Sequence, residues 1–231
     1  MAGLTDQAGG KPKEKGKALE RARHSWEESM VRQIESLRQE LAQEEPEMLA
    51  DRCAGQFTGK TILLPYWGQE VSVHWPKMET TLADGQPCST FDTAMLLYYL
   101  HHADGALPAD RWISYREIPG GAFYHQAFQG YSGNRIAKAF ADDFSLFDAA
   151  ARHLAGWKLT ALAEHAFAFQ PLPRIRLAAV LWPGDEEFPT RASVLFDAVS
   201  HHYMTIDGLA LLGGGLASRL VRTATDLKSP S

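Results

Sequence analysis

Only two cysteines, Cys53 and Cys88, occur among the 231 residues, 35 positions apart and without Cys-x-x-Cys spacing. That excludes a disulfide scaffold and any zinc or iron–sulfur site built from cysteine alone. No run of roughly 18 apolar residues occurs, so no transmembrane helix is expected. Basic residues do not predominate: 23 Lys and Arg stand against 28 Asp and Glu, a net charge of −5. A general nucleic-acid binder is therefore not expected. The first twenty residues contain no apolar segment, so a secretory signal is not expected either, and the expected compartment is the cytoplasm with both thiols reduced. With 45% hydrophobic and 10% aromatic residues the chain is neither disordered throughout nor collagen-like.

What is present is unevenly spread. Residues 1–50 hold 8 basic and 10 acidic residues, and Trp26 alone of the 24 aromatics. The aromatic-rich remainder is where a core can form. Residues 1–13 read as a disordered tail. Residues 14–45 read as one long amphipathic helix, because Leu19, Ala22, Trp26, Met30, Ile34, Leu37 and Leu41 recur at spacings of three and four. Such a stripe must bury against something. Its own domain is one acceptor, and a partner protein or a second copy is the other. Docking within the chain is expected for at least the second half.

Residues 46–231 read as a single α+β domain, a mostly antiparallel sheet flanked by helices. Strands are expected near 61–66, 70–75, 111–118, 166–170, 174–182 and 192–197, with Ile175, Leu177, Ala179 and Leu181 on one buried face. Five of them, all but 166–170, are expected in one sheet. Ser89 and Asp92 form a capping box that opens a helix ending at His101-His102. Helices are expected at 134–142 and 146–155, and again over 206–223, where Gly213-Gly214-Gly215 weakens the pattern.

Gly59-Lys60-Thr61 lacks the upstream glycine of a phosphate loop, and a strand rather than a helix follows it. Gly130-Tyr131-Ser132-Gly133 lacks nucleophile-elbow spacing. The densest polar cluster is Asp185-Glu186-Glu187 between Trp182-Pro183-Gly184 and Phe188-Pro189, followed by Leu195-Phe196-Asp197 and His201-His202-Tyr203. Glu186 or Glu187 is a candidate general base and His202 a candidate acid or ligand. A structural turn is the competing reading. On a strand over 111–118, Trp112 and Arg116 share a face, which makes Arg116 a candidate fork partner for the three acids.

These segments resemble the bacterial and archaeal family called domain of unknown function 3786. The quoted motifs are Trp112…Arg116-Glu117…Gly120-Gly121…Tyr124…Ala127-Phe128, Gly184-Asp185-Glu186-Glu187-Phe188-Pro189, and Leu195-Phe196-Asp197…His202-Tyr203. The resemblance covers roughly residues 46–222. It implies no established activity, an anaerobic setting, and in some members a separate cysteine-rich iron–sulfur domain for which this chain lacks the cysteines. It motivates a cytoplasmic binding protein that holds or handles a cofactor such as a tetrapyrrole or corrinoid. Trp112, Arg116, Tyr124, Phe128, Asp185, Asp197 and His202 are its candidate binding residues. The alternative is an enzyme using Glu186, Glu187 and His202 for acid–base or metal-assisted chemistry. The residues themselves identify neither a metal site nor a particular cofactor.

Overall fold

The computed structural model describes residues 28–141 and 143–229. The expected tail and Leu19, Ala22 and Trp26 of the stripe lie outside them. Within them, helix α1 occupies residues 28–41, and Met30, Ile34, Leu37 and Leu41 are all buried. The described part of the stripe is thus used in the chain's own core. Polar contacts fix its seat: Tyr98 Oη donates to Gln33 Oε1, and Arg38 Nε donates to the Met78 carbonyl at 3.4 Å.

Helix α2 (Pro46–Arg52) begins with proline at its first position, where the missing N–H costs nothing. Four strands follow: β1 (Gln56–Phe57), β2 (Thr61–Tyr66), β3 (Gln69–His74) and β4 (Glu79–Leu82). They form one antiparallel sheet in that order. Helix α3 (Thr90–His102) is capped as expected, the Ser89 hydroxyl accepting from the Asp92 amide at 3.1 Å. It is apolar almost all round and correspondingly buried, from Thr93 to Leu97 and again at Tyr99 and Leu100.

The second sheet has the order β5-β9-β8-β7-β6, from β5 (Trp112–Ser114), β6 (Trp157–Lys158), β7 (His165–Leu172), β8 (Ile175–Trp182) and β9 (Arg191–Asp197), all antiparallel. The expectation of one sheet containing 61–66 and 192–197 is corrected here. The β2 and β9 segments belong to different sheets. The bridge between them is the β2–β3 turn, where the Trp67 amide donates to the Pro171 carbonyl at 2.9 Å. Ile175, Leu177, Ala179 and Leu181 are fully buried as expected. Ala178 and Val180, on the opposite face, are fully buried too, so β8 is covered on both sides.

Between β5 and β6 lie α4 (His125–Tyr131), α5 (Gly133–Phe140) and α6 (Phe144–His153). Asp148 on α6 ties that helix to the sheet, accepting from Lys158 Nζ at 2.7 Å and facing His165 Nδ1 at 2.9 Å. Burial pushes its carboxyl up, but the Lys158 and His165 hydrogen bonds and charges outweigh that and hold it below the usual range. The last helix, α7 (Ile206–Lys228), runs straight through Gly213-Gly214-Gly215. Close packing explains the first two of these glycines. A Cβ on Gly213 would lie 2.7 Å from the Phe128 ring, and one on Gly214 would lie 3.1 Å from the Tyr131 ring. Helix propensity is given up so that aromatic rings can rest on the helix backbone.

Candidate functional site

Tyr131 lines a cleft of about 620 Å³, and Phe128 packs beneath that ring. Phe128 is buried and stacks on Tyr115, ring centres 4.3 Å apart, while Tyr131 meets Phe128 edge-on at 5.7 Å. Tyr115 comes from a single 3-10 turn (Tyr115–Glu117) directly after β5, and its hydroxyl donates to the Ile206 carbonyl at 3.3 Å. That turn is held tightly. Ser114 Oγ and the Ser114 amide both donate to Glu117 Oε2, at 2.7 and 2.8 Å. A Cβ on Gly121 would lie 1.9 Å from the Tyr115 carbonyl oxygen, so only glycine fits the returning chain.

Five parts of the chain supply the walls. Helix α1 gives Ser29, Met30 and Gln33, and α3 gives Tyr98. The 3-10 turn gives Tyr115, and Tyr124, Ala127 and Tyr131 come from α4 and the residue before it. The start of α7 gives Thr205, Asp207, Gly208, Ala210 and Leu211. Four of the seven tyrosines in the sequence therefore converge here. Thr205 caps α7, its hydroxyl accepting from the Gly208 amide at 3.2 Å. Asp207 stands in the first helical turn, where the helix dipole favours a carboxylate. It is the one formal charge among the described lining residues, and it makes no hydrogen bond or ion pair among them.

This charge is felt across the cleft. Burial, then the neighbouring Tyr131, Asp207 and Tyr124, pushes the Tyr115 phenol up to about 12. Burial followed by the Asp207 charge raises Tyr98 and Tyr131 as well. These three phenols stay neutral at physiological pH and are poor bases and nucleophiles.

The residues singled out in the sequence fall in several places. Tyr124 lines the cleft and Phe128 lies beneath it. Trp112 and Asp197 are cross-strand partners of β5 and β9. Asp197 is buried and accepts from the amides of Ala109 (3.0 Å), Asp110 (2.8 Å) and Val199 (3.1 Å), which stitches the 104–110 loop to the sheet. His202 faces Asp104 across 2.6 Å, Nδ1 to Oδ2, outside the cleft. Arg116 is exposed on the 3-10 turn, not on a strand, so it does not share a strand face with Trp112. Among the described residues it has no ion pair with Asp185, Glu186 or Glu187.

The acidic segment is the exposed turn between β8 and β9. Asp185 Oδ1 accepts from the amides of Glu187 (2.9 Å) and Phe188 (2.8 Å), and these bonds hold its carboxyl below the usual range. Glu186 and Glu187 extend from that turn. His202 follows the other end of β9, a seven-residue strand spanning roughly 20 Å. The proposed acid–base pair of Glu186 or Glu187 with His202 is therefore not assembled. Among the described residues no three His, Cys, Asp or Glu side chains are placed to hold a metal ion. None of their helices is long and apolar enough to cross a membrane.

Sequence reading missed Tyr98, Tyr115, Tyr131 and Asp207. Tyr115 and Asp207 flank quoted motifs, but no spacing links them to Tyr98. Comparison with known proteins gives a model of one family, described as Domain of unknown function (DUF3786), that matches residues 45–219. No curated protein and no solved structure matches the chain.

Proposed function

Starting from the fact that the chain belongs to the family of domains of unknown function DUF3786, we propose that it is a binding protein whose ligand occupies the tyrosine-lined cleft. One observation carries this reading. A cleft of about 620 Å³ draws four tyrosines and an unpaired carboxylate from five separate parts of the chain. That volume lies within the range of small-molecule sites, and the lining combines flat apolar faces with a few polar groups. Of the candidate binding residues that the resemblance motivated, Tyr124 lines this cleft and Phe128 packs beneath it.

The narrower reading is a tetrapyrrole or corrinoid cofactor. The cleft's size and aromatic walls support it. Against it, no histidine among the described lining residues could serve as an axial ligand, and no cation among them could meet a ring carboxylate. An absorption spectrum of protein purified without oxygen separates the two. A visible band that disappears in Ala127→Trp supports the coloured cofactor, and a colourless protein rejects it.

The broader reading is tested by a fragment screen followed by NMR of labelled tyrosine rings. Bound fragments are expected to shift Tyr98, Tyr115, Tyr124 and Tyr131 together. Hits that instead map to the Asp185–Glu187 turn or to His202 would overturn it.

A further inference from the structure

The lining of the cleft is selective in charge. Among the described lining residues Asp207 is the only ionic group, and none of them is a Lys, Arg or His that could neutralise an incoming anion. The position of Asp207 in the first turn of α7 accounts for a carboxylate in that helix. It does not account for the aromatic rings gathered in front of it. Tyr124 is 60% exposed and Tyr131 45% exposed, and neither hydroxyl makes a hydrogen bond among the described residues. Both rings thus face the solvent of the cleft without a structural duty for their polar ends.

Aromatic faces carry partial negative charge, and a carboxylate adds a full one. Together they attract a cation whose own surface is apolar enough to leave water, which describes an alkylated ammonium group. A compact, strongly hydrated inorganic cation would need several oxygen ligands at short range. The single carboxylate and scattered hydroxyls here do not supply that set. We infer that the cleft takes an organic cation, an alkylated ammonium seated against the tyrosine rings with Asp207 as its counter-charge. This rests on the cleft being the ligand site.

The test uses three probes of nearly one shape. Choline is the cation, 3,3-dimethylbutan-1-ol its uncharged counterpart, and 3,3-dimethylbutanoate its anionic one. Each is titrated into the full chain while the labelled tyrosine rings are followed by NMR. Choline is expected to shift the cleft tyrosines and to bind about tenfold tighter than the alcohol, with the anion weakest. Asp207→Asn should cost choline about tenfold and leave the alcohol unchanged, whereas Asp207→Glu, which keeps the charge, should hold choline within about threefold. The retained alcohol binding shows that the Asn variant is folded. Equal binding of choline and the alcohol, or stronger binding of the anion, overturns the inference while leaving the cleft as a binding site. Failure of choline to shift any cleft tyrosine overturns it as well. If the alcohol and the anion also bind only elsewhere, the cleft reading falls with it.

Discussion

The acidic turn at Asp185–Glu187 and the cleft at the start of α7 are opposites in how they use polar groups. The turn concentrates three carboxylates in three consecutive residues, and its first carboxylate is satisfied by the backbone of the same turn. The cleft has one carboxylate, set among rings drawn from distant parts of the chain, with no partner among the described residues. Charge that is dense along the sequence marks a place where water solvates the chain. Charge that is sparse, but gathered by folding next to apolar surface, marks a place where a ligand can displace water. Asp197 extends the contrast. It too is a lone carboxylate, but it is buried and fully occupied by three amides, so it serves the fold.

That ranking can be broken by substitution, starting where the effect should be greatest. Asp197→Ala removes the shared acceptor of the Ala109, Asp110 and Val199 amides, and we expect a loss of about 2–4 kcal/mol in urea unfolding. Asp197→Asn keeps one acceptor oxygen and should lose less. Asp148→Ala should cost about 2–3 kcal/mol, below the usual figure for a fully buried pair because Arg152 and Lys158 reach solvent. The Asp148 carboxyl is held below its ordinary value, so its contribution is present above the unfolded pKa of about 4 and is lost as pH falls through the lower folded value. Wild-type stability should therefore fall more steeply with acid than that of Asp148→Ala, as followed by thermal melts between neutral and low pH. Asp185→Ala, which removes two hydrogen bonds from an exposed turn, should cost less than Asp148→Ala. Glu186→Gln and Glu187→Gln should each change stability by less than about 0.5 kcal/mol.

Much of the fold could be read from local pattern. The stripe from Met30 to Leu41, the Ser89 cap and the shared buried face of Ile175, Leu177, Ala179 and Leu181 depend on neighbours three, four or two residues away, and they appear as expected. What escaped reading depends on contacts between distant segments. The division into two sheets follows from strand pairing, which alternation does not encode. The run over 111–118 breaks after Ser114 because Glu117 reaches back to the Ser114 amide and hydroxyl, a local capping signal hidden inside a β-rich segment. Two of the three glycines in helix α7 are explained by Phe128 and Tyr131, which occupy the space that side chains at positions 213 and 214 would have taken. The cleft was the least legible feature. Tyr98 and Asp207 stand on different helices, and only the packing of α1, α3, α4 and α7 gives them a common space.

Binding of the tightest fragment, compared between a cleft variant and a turn variant, tests this account most directly. Ala127→Trp places a large ring in the cleft and leaves Asp207 and the tyrosines unsubstituted, while the combined Asp185→Asn, Glu186→Gln and Glu187→Gln variant removes the turn's charge. The account predicts at least about tenfold weaker binding, or about 1.4 kcal/mol, in the first and less than about twofold change in the second. Unchanged binding in Ala127→Trp, together with a tenfold loss in the turn variant, would contradict it.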